Sequence, residues 1–262
     1  MTTKELLLGA WDSGPVVPCL AALALVGYAM RFRRHLGARS AFFAAAVTVF
    51  FVALSSPIGV LARGYLFSAH MLQHLLLVLA VPPLVLLGLP RTRTGAVPRE
   101  WSAAATAASW IGGVGAMWIW HARTLCNAAA TSATTQWVQT ASLVALGLVF
   151  WRPILAPQVS DRMPPLAGVV YLFAACVACT VLGVMVTLSP VEVCDAYMHP
   201  VDTLGVLPLL RDRWGLTHRA DQEIGGLLMW VPTCLVYAAT ILATLGRYYG
   251  EEHAPTAAGG AR

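Results

Sequence analysis

The run HMLQHLLLVLAVPPLVLLGLP at residues 70–90 is apolar enough to lie in lipid, yet it carries two imidazoles, a carboxamide and a proline pair. Polar side chains at that depth are costly and mark function more often than they serve packing. On a helix His70 and His74 stand one turn apart on one face, with Gln73 at the edge of the same stripe. Leu72, Leu75, Leu76 and Leu79 cover the other sides. Pro82 and Pro83 withdraw backbone donors and bend the second half, which a membrane helix packed against neighbours tolerates. The spacing alone leaves two readings open: a metal-binding pair, or neutral histidines bonded to a neighbouring helix.

Composition extends this reading to the whole chain. Of 262 residues, 58% are hydrophobic and 11% charged, and the mean hydropathy is +0.70. That leaves too little polar surface for a soluble globule. A span needs about 20 apolar residues. Seven stretches qualify: 16–30, 41–61, 66–89, 103–120, 137–155, 166–188 and 224–245. The expected fold is therefore an all-α membrane protein, a seven-transmembrane-helix bundle forming one domain over 1–249, with 250–262 as a disordered tail. The first apolar run is followed by RFRRH instead of a small-residue cleavage site, so it reads as a retained helix.

The net charge of +5 does not indicate nucleic acid, because the basic residues sit in short clusters beside apolar runs. Arg31, Arg33, Arg34 and Arg39 follow span one, Arg91, Arg93 and Arg99 follow span three, and Arg152 and Arg162 follow span five. These mark the cytoplasmic side, placing the N-terminus outside and the C-terminus in the cytoplasm. The charges from Arg211 to Arg219 read as a solvated loop. The six cysteines show no spacing of a secreted disulfide framework and read as thiols within a packed bundle. The Gly225-Gly226 pair reads as a close helix contact.

This topology sorts the metal-ligating side chains. His70, Met71, His74, Met117, His121, Cys126, Met185, Cys194, Met198, His199, His218 and Met229 all fall on or near the outer side, and only His35 and His253 on the inner. Imidazole with thioether and thiol is the ligand set expected for copper, above all Cu(I), with zinc and haem iron as rivals. His121 supplies a third imidazole beside His70 and His74, Met71, Cys126, Cys194 and Met229 are auxiliary candidates, and Asp221 and Glu223 lie at the mouth of the last span.

The run at 70–90, together with WIWHARTLCNAA, GLVFWRPI and DQEIGGLLMWVP, resembles the CtaG-type assembly factors of bacterial haem-copper oxidases over about two thirds of the chain. The resemblance implies a seven-span inner-membrane factor, not an enzyme, that helps mature cytochrome c oxidase by handling copper and has oxidase subunits as partners. The positions that carry it are His70, Gln73, His74, His121 and the segment 221–232. Two departures stand out. The family pattern opens span five with a Glu-His pair where this chain has Gln139 and Thr140, and two tyrosine positions are Cys126 and Cys194 here. A membrane cytochrome with haem on the paired histidines and a copper transporter are the competing functions. Haem on both levels would want a second histidine pair on the inner side, and the sequence holds none.

Overall fold

A computed structural model describes residues 1–12, 14–35, 37–91 and 101–252. Among them the regular structure is helical: α1 (Thr3–Gly9), α2 (Val16–Phe32), α3 (Ala38–Ser55), α4 (Pro57–Leu61), α5 (Phe67–Leu75), α6 (Val81–Gly88), α7 (Ala103–Trp120), α8 (Arg123–Thr131), α9 (Ala133–Leu155), α10 (Pro165–Leu188) and α11 (His218–Glu252). Each of the seven expected stretches coincides with one of these helices or with two in tandem. Five, Ala38–Ser55, Phe67–Gly88, Ala133–Leu155, Pro165–Leu188 and His218–Gly250, are long and apolar enough to cross a membrane. The α2 helix is shorter at 17 residues, and α7 is diluted by Thr106, Ser109 and the glycines at 112, 113 and 115. The arginines at 93 and 99, and 253–262 of the expected tail with His253, lie outside the described residues.

Local chemistry explains the departures from simple spans. The stretch 41–61 breaks at Ser56, whose hydroxyl accepts the Ile58 N–H at 3.2 Å while Pro57 opens α4. Between α5 and α6 the chain makes one wider, π-type turn at Leu76–Ala80, closed by the Val81 N–H on the Leu76 carbonyl. Pro82 follows and has no N–H to give the Val78 carbonyl four residues back. The Trp151 indole of α9 takes that place, donating Nε1–H to the Val78 oxygen at 3.0 Å. Helix α9 comes this close because residue 147 is glycine; a Cβ there would lie 2.8 Å from the Pro82 ring. The expected proline distortion is thus present and is stabilised from a neighbouring helix.

The main core lies between α6, α7, α9, α10 and α11, where Phe150, Trp151, Tyr171, Leu172 and Tyr237 are buried together. Helices α10 and α11 cross at Gly183 and Gly226; a Cβ on Gly226 would sit 2.9 Å from the Gly183 carbonyl oxygen and 2.7 Å from the Thr187 nitrogen. Gly225 faces α5, where a Cβ would lie 2.5 Å from the Phe67 ring, so both members of the expected glycine pair serve close helix packing.

The helix α1 was not anticipated. Thr2 and Glu5 form a reciprocal cap, Thr2 Oγ1 accepting the Glu5 N–H at 3.2 Å and Glu5 Oε2 the Thr2 N–H at 2.7 Å. Its Leu6 packs with Leu61, Leu66, Val206, Leu209 and Leu210. The connection from 189 to 217 therefore folds back over one end of the bundle with its apolar side buried, while Asp212, Arg213 and Trp214 remain exposed. We refer to this as the histidine end. At the opposite, arginine end, Tyr28 donates to the Gly88 carbonyl at 2.7 Å, Arg39 to the Leu89 carbonyl at 2.9 Å, and Trp101 to the Asp161 carbonyl at 2.8 Å.

Candidate metal centre

The histidine helix is anchored from outside itself. Leu66 precedes α5 and offers no side-chain cap. The carboxylate of Asp221, in the first turn of α11, accepts instead from the Phe67 N–H at 2.8 Å, the Ser68 N–H at 3.0 Å and the Ser68 hydroxyl at 2.5 Å. This is an N-cap supplied by another helix, with negative charge where a helix N-terminus favours it. Asp221 is buried, whereas Glu223 faces outward and pairs with Arg219 at 2.6 Å. Of the two acids expected at the mouth of the last span, one is therefore a structural cap and the other a surface residue. Gln73 also serves structure, donating to the Ala53 carbonyl of α3 at 2.8 Å.

One turn into α5, His70 and His74 are each 1% exposed. Their rings lie 4.2 Å apart between centroids, and His74 meets the His121 ring edge-on at 5.5 Å. All four ring nitrogens of His70 and His74 are buried without a hydrogen-bond partner. That is unusual, because nearly all buried polar groups in native proteins are bonded, and each exception calls for an explanation. Gln139 of α9 is the side chain closest to bonding His74, near enough to act on its ring although outside good hydrogen-bond geometry, and its amide nitrogen is unpartnered.

His121 closes the end of α7 and contributes the sharper clue. Its Nδ1 sits 2.5 Å from the Met117 carbonyl oxygen, and its Nε2 sits 3.1 Å from Met71 Sδ. The carbonyl can only accept, so Nδ1 carries the proton, and burial disfavours a second proton on the ring. Neutral His121 then aims the lone pair of Nε2 at the lone pairs of a thioether sulfur. With that tautomer two electron-pair donors, Nε2 and the thioether sulfur, stand 3.1 Å apart, an arrangement in which both can face one cation. Met71 and Met229, with Met117 and Cys179, also line a cavity of about 20 Å³ just below, room for one water-sized occupant.

The auxiliary cysteines need correction. Cys126 and Cys194 form a disulfide across a Cα–Cα distance of 5.8 Å, and both are buried against Phe67, Met71, Tyr197 and Met229. Oxidised, neither offers a thiolate, so they tie the 189–217 connection to α8 beside the histidines. Sequence spacing missed this because the partners are 68 residues apart. Cys19, Cys176, Cys179 and Cys234 are free. Alkylation of the denatured, unreduced chain is therefore expected to label four of the six cysteines, and all six after reduction; mass spectrometry reads the difference, and six labels without reductant would remove the disulfide.

Among the described residues no group of three or more His, Cys, Asp or Glu is arranged to hold a metal ion by itself. His70, His74 and His121 are brought together, but the donor that approaches an imidazole nitrogen is the sulfur of Met71. The side chains that sequence reasoning undervalued are Met117, whose position four residues before His121 was the available signal, and Tyr197, whose ring lies 5.8 Å from His70 and whose hydroxyl donates to the Ala62 carbonyl at 2.8 Å.

In comparison with known families, the model of the cytochrome c oxidase caa3 assembly factors (Caa3_CtaG) matches residues 23–251. The chain belongs to that family. No curated protein and no solved structure gives a significant match. Membership covers most of the chain, including α5, the His121 corner and the start of α11. Within this caa3 assembly factor, Gln139 is buried beside His74, whereas its chain neighbour Thr140 is buried toward the recess lined by Asp12, Leu54 and Arg63.

Proposed function

We propose that this chain is a seven-span inner-membrane protein, N-terminus outside, that binds Cu(I) at its histidine end and passes it to a subunit of a haem-copper oxidase during assembly. The observation that carries the reading is the set of buried imidazole nitrogens without a hydrogen-bond partner, those of His70 and His74, beside the approach of His121 Nε2 to Met71 Sδ. Neutral imidazole and thioether are ligands suited to Cu(I). Copper here is cargo, and the role is one of binding and release, not catalysis.

The residues divide the work simply. His70, His74, His121 and Met71 are the donors, and Met229 with Met117 offers thioethers one layer deeper. Asp221 fixes the start of α5, so that the two histidines keep their register. Among the described residues no carboxylate joins the cluster, and Asp221 is bonded to the α5 N-terminus. A cation held by neutral ligands alone is released more readily than one held by charge, which suits a donor.

The test is complementation. In copper-limited cells lacking this protein, the wild-type chain is expected to restore cytochrome c oxidase activity and the His70→Ala/His74→Ala variant to leave it at the level of the deletion strain, with both chains present in the membrane at equal amounts. Full restoration by the double variant would overturn the copper-donor reading.

A further inference from the structure

The two ends of the bundle treat charge differently. All three ion pairs among the described residues, Arg63 with Asp12, Arg123 with Asp195 and Arg219 with Glu223, lie at the histidine end. At the arginine end, Arg39, Arg91 and Arg247 each lie close enough to Arg162 to act on its charge, and no described acid is paired with any of the four. Like charges gathered beside low-dielectric walls repel one another and create a strong field for a counter-ion.

The arginines surround a real space. An open cavity of about 810 Å³ is lined by Arg91, Arg162 and Arg247 together with Trp101, Ile154 and Tyr248, within the range of about 300–1,000 Å³ typical of small-molecule sites. Arg162 is set in its wall: its Nε donates to the Ala156 carbonyl at 2.9 Å, which leaves the outer edge of the guanidinium for a ligand. Partial burial, then the positive charges of Arg247, Arg91 and Arg39, push its proton affinity down. Arg39 is held by the Leu87 and Leu89 carbonyls at 3.3 and 2.9 Å, and Arg247 by the Ala243 carbonyl at 3.3 Å. The N-terminus of α10 also opens here. Pro164, Pro165 and Gly168 line the cavity, and no side chain caps that helix. The positive end of a 24-residue helix therefore adds to the same field.

We propose that this cavity is a binding site for a phosphate-bearing anion, occupied by the headgroup of an anionic lipid whose acyl chains run along the apolar wall at Trp101 and Ile154. The mixture of arginine and apolar lining at the end of a helical bundle fits an amphiphile better than a fully soluble ion. It lies at the opposite end from the histidines and does not depend on the copper reading.

Native mass spectrometry of the full chain in detergent tests it, with short-chain phosphatidylglycerol, phosphatidylcholine of the same acyl length, and inorganic phosphate as probes. The expected result is retention of phosphatidylglycerol over phosphatidylcholine. An Arg91→Gln/Arg162→Gln/Arg247→Gln variant is expected to weaken that binding roughly a hundredfold, at about fivefold for each arginine. The corresponding triple lysine variant keeps the charge and most of the binding, which separates loss of charge from misfolding. An Arg31→Gln/Arg33→Gln/Arg34→Gln variant, with the same change in net charge elsewhere, binds like the wild type. Inorganic phosphate that binds as tightly as the lipid, and is lost in the same glutamine variant, would keep the site and make soluble phosphate compounds its ligands. Equal retention of the two lipids with no phosphate binding, or a cavity glutamine variant that binds like the wild type, would overturn the proposal.

Discussion

A His70→Leu/His74→Leu variant is expected to lose Cu(I) binding completely and at the same time to unfold at a higher temperature than the metal-free wild type. The two effects have one cause. Each imidazole is 1% exposed, and its nitrogens find no partner in the fold. An unsatisfied buried donor or acceptor costs about 1–3 kcal/mol, and leucine removes that cost while filling a similar volume. The expected gain is about 1–3 kcal/mol for the pair, allowing for imperfect repacking. Copper should reverse the order, because a ligand that binds only the native state stabilises it in proportion to its concentration over Kd. The measurement is copper content after anaerobic reconstitution, beside thermal unfolding in detergent with and without Cu(I). Stoichiometric copper in the leucine variant would place the metal elsewhere. A large loss of metal-free stability would mean that the imidazoles serve the fold.

The second large effect is expected at Asp221. Its carboxylate, 2% exposed, accepts three hydrogen bonds from the first residues of α5. Asp221→Ala leaves the Phe67 and Ser68 N–H groups buried without acceptors. Hydrogen bonds to a charged group contribute about 1.5–3 kcal/mol each, so allowing for non-additivity the loss is expected to be about 3–5 kcal/mol. Asp221→Asn keeps one acceptor oxygen and loses less. Because His70 lies in the first turn of α5, copper affinity is expected to fall in the same order, alanine below asparagine below wild type. Chemical denaturation and copper titration of the three proteins check it; an alanine variant as stable as the wild type would remove Asp221 from the anchoring role.

Both predictions depend on contacts between residues far apart in the chain, and this separates what could be read from the sequence from what could not. The helix positions were legible, because lipid-crossing length and apolar runs are local properties. So was the pairing of His70 with His74, since a four-residue spacing places both rings on one face whatever the helix packs against. The proline pair announced a distortion for the same reason. The convergence of imidazole and thioether on one end followed from the alternation of spans, and the caa3 assembly factor family from the motifs themselves.

Tertiary structure decided the rest. Whether the histidines were bonded to a neighbour could not be known until the neighbours were in place; of the carboxamides nearest by, Gln73 is committed to the Ala53 carbonyl, and Gln139 lies against His74 outside good hydrogen-bond geometry with its amide nitrogen unpartnered. Asp221 looked like an acid at the mouth of a span, and became a buried cap only because α11 begins at His218 and meets the start of α5. Cys126 and Cys194 looked like thiols until the 189–217 connection folded back onto α8. The arginine cavity also arises only when Arg91, the end of α9, the start of α10 and the end of α11 are brought together. Sequence specifies which faces are apolar and how long each helix runs, because those depend on neighbours along one turn; the partner of a buried polar group is a property of packing, and packing joins residues that the chain keeps far apart.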